Sequence, residues 1–503
     1  MASLKDFLLT SQAGEQDAPD HMRRAGRPLR VVLLQPPRTG GVACLEPQNE
    51  DGTEGIGHKP PLGLLYLATT LTHHSPHQVT IIDAQVENLS FAETTRRIAE
   101  LAPDVVGISA WTDFWYPAHE CGRRIKAELP GIHLCYGGPH LGIYPEETLA
   151  IPFIDSVIAG DGEMPFLHLC NMVSNGRLDG QFPGLHLKSS GVADGVGRIF
   201  VQGDLDALPI PDRTLLSLER YTSVLSKGRF VTTMITSRGC PHRCTFCKLT
   251  FQKNLARSAD SILEEFRQIH RLGIREVEIY DDTFTWGRDR LKQICEGLIA
   301  LNLGIEWAVR DRVSKADPDM LALMYRAGCR RIHYGVESGS EHVLRRMKKQ
   351  ITTQEARIAV SLAKSARLQV LTYFMFGNLD ESEADMRQTV DFAISLDADY
   401  ATFSITIPYA GTEMYDEALA QGIIATDYWR DYATHPTAEF RPPQLIENNV
   451  TLDRMLAIRK EGFRRFYFRP KYLLRQIRRV STLPELLRKA RMGVRLAQSV
   501  YTR

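Results

Sequence analysis

The chain has 503 residues, of which 43% are hydrophobic and 24% charged, and its formal net charge is +1. This length allows at least two packed domains, and the near-zero charge excludes a protein that binds nucleic acid or anionic lipid by overall electrostatic attraction. Residues 1–28 are expected to form a polar leader without the apolar core of a secretory signal. The longest apolar stretch, 62–71, is about half of a membrane span. We therefore expect a cytoplasmic protein.

Short apolar runs alternate with amphipathic segments between residues 29 and 175. The apolar runs predict buried strands at Leu29–Gln35, Gln78–Asp83, Val105–Ala110, Ile132–Tyr136 and Ser156–Ala159. The segments between them predict helices at Pro61–His73, Phe91–Leu101 and His119–Leu129. Strands that alternate with helices of this length indicate βαβ crossovers and an α/β, doubly wound, Rossmann-like parallel sheet. Such sheets bind ligands at the carboxyl ends of their strands.

A second series of strands and helices follows the segment 176–228, which is rich in Gly, Ser, Asp and Pro and is expected to be a linker. Strands are predicted at Val231–Thr236, Glu276–Tyr280, Ile305–Val309, Arg331–Gly335, Val370–Phe376 and Tyr400–Ile407. The segments between them have the apolar periodicity of helices. Six consecutive strand–helix units predict a partial (β/α)6 TIM barrel over 229–430, with its active site at the carboxyl ends of the strands.

The remaining segment, 431–503, is predicted to be helical and is strongly basic. From Arg454 to Arg503, fifteen Lys or Arg stand against two acids, and aromatic residues lie among them. A segment of this kind can bind a membrane surface or nucleic acid. The alternative, which we favour, is a helical cap on the barrel whose arginines are solvated or pair with acids elsewhere.

Three of the nine cysteines are closely spaced directly after the strand predicted at Val231–Thr236. Cys240, Cys244 and Cys247 lie in the sequence Ser-Arg-Gly-Cys-Pro-His-Arg-Cys-Thr-Phe-Cys. Three thiolates at this spacing can hold a four-iron cluster, for which a ferredoxin would supply four. One iron would then be open to a chelating ligand, and the amino and carboxylate groups of S-adenosylmethionine (SAM) suit that role. The alternative is a zinc site completed by His242, although no second ligand pair follows.

The cysteine spacing, with Phe246 at the aromatic position before the third cysteine, resembles the C-x-x-x-C-x-aromatic-C signature of the radical SAM superfamily. The resemblance extends over the whole predicted barrel. It implies that the three cysteines bind a [4Fe–4S] cluster and that one electron cleaves SAM to a 5′-deoxyadenosyl radical. It also implies an electron donor of the flavodoxin or ferredoxin type.

The same resemblance implies a SAM site at the ends of successive barrel strands. Asp281 and Asp282 follow the second strand, where relatives hold the methionine amino group, and Arg310 ends the third, where it could pair with the SAM carboxylate. Glu337 follows the fourth strand and would hold the ribose hydroxyls, and 376–378 would lie near the adenine. The alternatives are that the two aspartates cap the next helix and that Arg310 forms a surface ion pair.

The amino-terminal domain resembles the cobalamin-binding members of that superfamily. Familiar cobalamin domains carry Asp-x-His-x-x-Gly, Ser-x-Leu and Gly-Gly in this order, and this chain offers Asp83-Ala-Gln85, Ser109-Ala-Trp111 and Gly137-Gly138. Gln85 replaces the histidine, which implies that no protein imidazole binds cobalt. The two glycines let a bulky ligand approach the backbone, Ser109 can donate a hydrogen bond, and Trp111 offers a flat apolar wall. The alternative is a flavodoxin-like domain that binds another nucleotide or none.

These features together predict a cobalamin-dependent radical SAM methyltransferase, which transfers a methyl group from methylcobalamin to an unactivated carbon. A non-methylating member, such as an oxidative cyclase that acts on a tetrapyrrole like the anaerobic magnesium-protoporphyrin ester cyclases, is the alternative within the enzyme class. An iron–sulfur electron-transfer or sensor protein is the alternative outside it. We expect a small-molecule substrate, with a lipid or a tetrapyrrole favoured by the basic C-terminus through peripheral membrane contact. A nucleic-acid partner is not expected, because no RNA-binding module is evident.

Overall fold

The structure is a computed structural model that describes residues 26–39, 58–188, 199–223, 225, 230–248, 253–442, 450–479, 490, 493–494 and 497–498. The predicted leader, 1–28, therefore lies almost entirely outside the described residues. The chain forms two compact units. The first comprises Met1–Val42, Pro61–Leu216 and Arg430–Phe440, and the second comprises Ala43–Pro60, Ser217–Trp429 and Arg441–Arg503.

The first unit is built on a six-stranded sheet. Its strands are β1 (Arg30–Gln35), β2 (Gln78–Asp83), β3 (Val105–Ser109), β4 (His133–Gly137), β5 (Ser156–Ile158) and β6 (Leu185–Leu187). They are arranged in the order β2-β1-β3-β4-β5-β6, and every pairing is parallel except that of β5 with β6. The strand order reverses between β1 and β3, which is where doubly wound sheets bind their ligands. The predicted doubly wound fold is confirmed.

Helices cross between these strands and bury apolar faces against the sheet. They are α1 (Leu62–His74), α2 (Phe91–Leu101), α3 (Trp115–Glu128), α4 (Pro145–Ala150) and α5 (Glu163–Ser174). A reciprocal capping box of Ser90 and Glu93 begins α2 and fixes the boundary that the sequence predicted. Helices α4 and α5 and strand β6 were not predicted. Strand β6 lies inside the expected linker, and three residues are too few for a periodic signal.

The second unit contains an open barrel of six parallel strands. The strands of this unit are β7 (Thr232–Met234), β8 (Ser237–Arg238), β9 (Leu255–Ala256), β10 (Glu276–Ile279), β11 (Glu306–Asp311), β12 (Cys329–Glu337), β13 (Gln369–Phe376) and β14 (Tyr400–Ile405). The barrel follows the chain order β7-β10-β11-β12-β13-β14, and β8 and β9 form a separate antiparallel hairpin. The predicted partial barrel is confirmed, with all six strands within a few residues of their expected positions.

Helices follow the barrel strands and complete the strand–helix units. They are α6 (Ala259–Arg271), α7 (Arg288–Leu301), α8 (Pro318–Arg326), α9 (Glu341–Arg346), α10 (Thr353–Ser365), α11 (Glu383–Leu396), α12 (Glu413–Ala420), α13 (Tyr428–Thr434), α14 (Leu452–Tyr467) and α15 (Pro470–Arg479). Helix α13 lies where the chain passes from the second unit back to the first. None of the helices in the described part of the chain is both long and apolar enough to span a bilayer.

The described part of the basic C-terminus packs on the barrel. The Tyr467 hydroxyl accepts a hydrogen bond from the Ala401 N–H (3.0 Å) and donates one to its carbonyl (2.7 Å), which covers the free edge of β14. Arginines of the two last helices pair with acids of α11 and of the residue after it, in the pairs Arg454–Glu383, Arg465–Asp391 and Arg475–Asp397. These contacts correspond to the cap that the sequence analysis favoured.

Candidate active site

The loop that carries the three cysteines is framed by the hairpin of β8 and β9. Asp281, which follows β10, anchors the start of this loop by accepting hydrogen bonds from the Thr236 N–H (2.7 Å), the Thr236 hydroxyl and the Ser237 hydroxyl (2.8 Å). Burial raises the pKa of the Asp281 carboxyl, while those donors lower it. Because both carboxylate oxygens are engaged by the loop, Asp281 is placed to position the cysteines. Sequence reasoning had grouped it with Asp282 as a SAM ligand.

Asp282 and Thr283 lie against the cysteines themselves. The Asp282 carboxylate accepts a hydrogen bond from the Gly239 N–H at 3.1 Å, and Gly239 has a φ of +83°, which gives the chain its turn into Cys240. The Thr283 hydroxyl lies 3.7 Å from the Cys240 sulfur. Asp282 therefore has one carboxylate oxygen beside the loop, and its role at the methionine amino group stays a prediction.

The three cysteines share one neighbourhood. Desolvation, then the nearby Cys244 thiol, the Asp282 carboxylate and the Cys240 thiol, raise the pKa of the Cys247 thiol, although the residue is exposed at the surface of the loop. Among the described residues, no three His, Cys, Asp or Glu side chains converge closely enough to hold a single metal ion. His242, the candidate fourth zinc ligand, instead contacts the Gln350 side chain at 3.3 Å.

Two cations that sequence reasoning missed border this loop. The Arg312 guanidinium lies 3.6 Å from the Cys244 sulfur and also donates to the Lys349 carbonyl. The Lys349 ammonium lies 5.7 Å from the centre of the Phe246 ring. Arg312 and Lys349 follow the third and fourth barrel strands, whereas the cysteines follow the first, so only the folded barrel brings them together. No local sequence signal marks them.

Glu337, the expected ribose ligand, lies at a distorted point of the barrel. It has a φ of +68°, rare for a residue with a side chain, and the pairing of β12 with β13 skips one residue between Gly335 and Glu337. Its buried carboxylate forms an ion pair of 2.7 Å with the buried Lys349 ammonium. Backbone strain of this kind persists where the surrounding structure enforces it, and it is concentrated at binding sites. The geometry therefore favours a binding role for Glu337.

Arg310 lies near the carboxyl end of β11, and no contact joins it to the cysteines in the described residues. Its guanidinium is stacked on the Tyr280 ring, with 3.5 Å from Cζ to the ring centre. Burial lowers the pKa of Arg310, but the neighbouring Tyr280, Tyr373 and Glu278 raise it and outweigh the burial. The surface ion pair considered as the alternative is absent from the described residues, because no carboxylate there lies within ion-pair distance of Arg310.

In the first unit, the residues expected to face cobalamin lie together at the carboxyl ends of neighbouring strands. Ser109 and Gly137 are register partners at the ends of β3 and β4. Gly138 has a φ of +110°, and a Cβ there would lie 2.7 Å from the Ala110 carbonyl, so only glycine fits. Trp111 is 49% exposed, which is unusual for so large an apolar side chain.

Gly137 provides a sharper indication of a ligand. A Cβ built there meets no atom within 4 Å and φ is ordinary, so the protein itself does not require glycine at this strand end. The open space beside it suits the close approach of a bulky ligand.

Gln85, at the position of the familiar histidine, accepts a hydrogen bond from Arg38 at 3.2 Å. His140 was not predicted as a site residue; it is buried and stacked on Trp115 with ring centres 4.3 Å apart.

Comparison with known proteins agrees with both halves of this description. The family model of the radical SAM superfamily matches residues 234–393, and that of the B12 binding domain matches residues 56–169. A protein of Pyrococcus horikoshii, named an uncharacterized methyltransferase, is 33% identical over 455 residues that cover 89% of this chain and 95% of the relative. This chain belongs to the radical SAM superfamily. It is an enzyme of the branch that carries a B12-binding domain, and its cofactors are a [4Fe–4S] cluster, SAM and cobalamin.

Two further comparisons place this radical SAM protein among its relatives. The anaerobic magnesium-protoporphyrin IX monomethyl ester cyclase of Rubrivivax gelatinosus is 25% identical over 464 residues, which cover 88% of this chain and 78% of the cyclase. The solved structure of the radical SAM methyltransferase TsrM from Kitasatospora setae, with cobalamin and a [4Fe–4S] cluster bound, has a TM-score of 0.64 at 19% identity and covers 79% of each chain. At that identity the TsrM comparison confirms the fold.

Proposed function

We propose that this protein transfers a methyl group from cobalamin to an unactivated carbon of a small molecule by radical SAM chemistry. The observation that carries the proposal is the loop of three cysteines, anchored by Asp281 at the carboxyl end of the barrel, with the strained and buried Glu337 at the same end. When bound, the cluster supplies the electron that cleaves SAM to a 5′-deoxyadenosyl radical, and cobalamin supplies the methyl group.

The residues around the loop would bind and orient SAM. Asp282, with one carboxylate oxygen on the Gly239 N–H, would accept a hydrogen bond from the methionine amino group. Glu337 would accept from the ribose hydroxyls, while Lys349 holds its carboxylate in a fixed orientation. The Phe246 ring, beside Lys349, would limit the access of water to the cluster.

Methyl transfer is better supported than cyclisation because the 33%-identical relative, which matches nearly full length, is named a methyltransferase. The cyclase of Rubrivivax gelatinosus keeps ring formation as the second candidate. The two reactions differ in the fate of the SAM methyl group. Anaerobic incubation of the reconstituted protein with methyl-labelled SAM should leave label in the cobalamin fraction if the protein is a methyltransferase, and none if it is a cyclase.

The radical SAM part of the proposal is tested by Cys244→Ala. This variant should lose the cluster and the cleavage of SAM to 5′-deoxyadenosine, yet still bind cobalamin in the first unit. Cys295→Ala is the matched control, because Cys295 is a buried core cysteine on α7. Iron and sulfide analysis, EPR and chromatography of 5′-deoxyadenosine give the readouts. SAM cleavage by the Cys244→Ala variant would contradict the proposal.

We further propose a flavodoxin or ferredoxin as the electron donor and a cytoplasmic location with peripheral membrane contact. The exposed Leu473 and Leu474 on the basic helix α15 support such a contact, since exposed leucines beside arginines suit an anionic lipid surface. A lipid or a tetrapyrrole remains the substrate candidate that fits this surface. A variant that ends after residue 455 and retains its partition to anionic vesicles would contradict the membrane contact.

A further inference from the structure

The barrel interior contains a cluster of charged and polar side chains that SAM cleavage does not explain. We call it the lumen cluster, and it consists of Lys59, Glu278, Arg310, Arg331, His333 and Tyr373. The four strands β10 to β13 and the segment before α1 contribute these residues. Lys59, Arg310 and Arg331 are cations, and Glu278 is the carboxylate that faces them. Buried charge of one sign is costly unless a partner neutralises it.

The carboxylate of Glu278 is already fully engaged. Its Oε1 accepts hydrogen bonds from Lys59 Nζ (2.9 Å), Arg331 Nη2 (3.2 Å) and the Ser223 hydroxyl (3.2 Å), and its Oε2 lies 3.4 Å from the Tyr280 hydroxyl. Burial raises the pKa of Glu278, but the neighbouring cations outweigh it and hold that pKa below its usual value. One ionised carboxylate therefore faces three cations.

Arg310 is the cation without an anionic partner in the described part of the chain. Its guanidinium lies over the Tyr280 ring, with Cζ 3.5 Å from the ring centre, and its N–H groups interact with the hydroxyls of Tyr280 and Tyr373. Tyr280 is 36% exposed, so solvent reaches the tyrosine of this pair. A largely buried arginine beside further cations and hydroxyl groups, with no carboxylate of its own, is the arrangement that binds carboxylate or phosphate.

The hydrogen bonds of His333 make the Tyr373 hydroxyl a neutral hydrogen-bond donor in the lumen cluster. His333 Nε2 accepts from Arg331 Nε at 2.9 Å, so the neutral imidazole carries its proton on Nδ1 and donates it to the Tyr373 hydroxyl oxygen at 2.8 Å. Burial, then the charges of Arg331, Arg310 and Lys59, lowers the pKa of His333 and keeps the ring neutral. Arg310 and His333 both donate to the Tyr373 oxygen, so the Tyr373 hydroxyl hydrogen is left to be donated to a further acceptor.

We propose that the lumen cluster binds an oxyanion group of the substrate, a carboxylate or a phosphate, through Arg310 and the Tyr373 hydroxyl. This inference rests on the proposed function, since it assigns that enzyme's substrate to the class of organic acids and phosphate esters. Arg310 is the register partner of His333, which precedes Glu337 by four residues on β12, or roughly 13 Å along the strand. The anionic end of the substrate would therefore lie below the level of Glu337, near the end of β11, and its reacting carbon nearer Glu337.

The SAM carboxylate is the other source of such an anion, and the experiment separates the two. The variants are Arg310→Met and Tyr373→Phe in the full chain. Arg330→Met is the matched control for the first, because Arg330 is also stacked on a tyrosine, Tyr325, at 4.5 Å, and pairs with Glu306 outside the cluster. Tyr334→Phe is the control for the second, because the Tyr334 hydroxyl is buried without a hydrogen-bond partner on the other face of the sheet.

Inorganic phosphate and acetate are the probes, and their binding is measured by equilibrium dialysis at low ionic strength. The binding of labelled SAM to the reconstituted protein is measured in parallel. We expect Arg310→Met to weaken anion binding about 10-fold or more and Tyr373→Phe by a few-fold, with SAM affinity within about two-fold of the unmodified chain in all four variants. The milder Tyr373→Phe keeps the test valid if Arg310→Met does not fold.

Two results would overturn the proposal. One is that the unmodified chain binds neither probe, or binds it equally well in Arg310→Met. The other is that Arg310→Met loses SAM affinity, which would assign Arg310 to the SAM carboxylate. Anion binding does not require a cluster, so failure of the proposed function, seen as no SAM cleavage by the unmodified chain, is distinguishable from failure of this inference.

Discussion

Gly335→Ala is the substitution that should most selectively disturb the SAM site. A Cβ at this position would lie 2.4 Å from Glu337 Oε1 and 3.0 Å from Lys349 Nζ. Gly335 has no positive φ, so the backbone accepts alanine, and the atoms that must move are the ends of two long side chains. The substitution therefore displaces the Glu337–Lys349 ion pair while it leaves β12 intact.

The size of the effect follows from that displacement. Ordinary contact begins at about 3.4 Å, so the Glu337 carboxylate must move by about 1 Å. A displacement of about 1 Å in a binding group can cost about 100-fold, or about 2.7 kcal/mol. Rearrangement of two flexible side-chain ends should cost only about 1 kcal/mol of folding stability, which lowers the melting temperature by about 2–4 °C.

The assay compares SAM affinity and the rate of reductive cleavage to 5′-deoxyadenosine with the iron content and melting temperature of the same samples. Gly131→Ala is the control, because a Cβ at Gly131 meets no atom within 4 Å. We expect the Gly335→Ala variant to keep its cluster and lose SAM affinity. Unchanged SAM affinity together with a lowered melting temperature would refute the reasoning and make the Glu337–Lys349 pair a purely structural one.

Three further predictions concern the cluster, the stability and the cobalamin site. Arg312→Met removes the donor at 3.6 Å from the Cys244 sulfur, so the cluster's midpoint potential should fall in an EPR-monitored redox titration. Arg312→Lys should restore the potential, and an unchanged potential in Arg312→Met would exclude this role of Arg312. Burial raises the pKa of Glu381 from its usual 4.5 to about 7. Between these values the folded state keeps a proton that the unfolded chain has lost, so the free energy of unfolding declines by up to about 3 kcal/mol as the pH rises from 4.5 to 7. Glu381→Gln should flatten that decline in unfolding measured across this range, and a parallel decline in the variant would count against it. Gly137→Ala should leave the melting temperature unchanged but weaken cobalamin binding in an optical titration, and equal affinity would show that no ligand approaches that strand end.

The sequence was sufficient for those features that depend on neighbouring residues along the chain. Periodic apolar runs located the five parallel strands of the first sheet and the six of the barrel, because buried strands between helices leave continuous apolar segments. The cysteine spacing predicted the cluster loop, since the three predicted ligands lie within eight residues. The sequence could not locate β6 or the hairpin of β8 and β9, whose two or three residues carry no periodicity.

Tertiary structure decided which of the polar residues act together. Asp281 and Asp282 are adjacent in the sequence, yet the first anchors the loop through Thr236 while the second faces the cysteines. Residues on separate strands meet only in the folded barrel, which brings Arg312 to Cys244 and places Arg310 with the lumen cluster. The sequence by itself therefore determined the fold class and the cofactors. Side-chain roles required the structure, because hydrogen bonds and ion pairs between distant residues depend on three-dimensional proximity that no local pattern encodes.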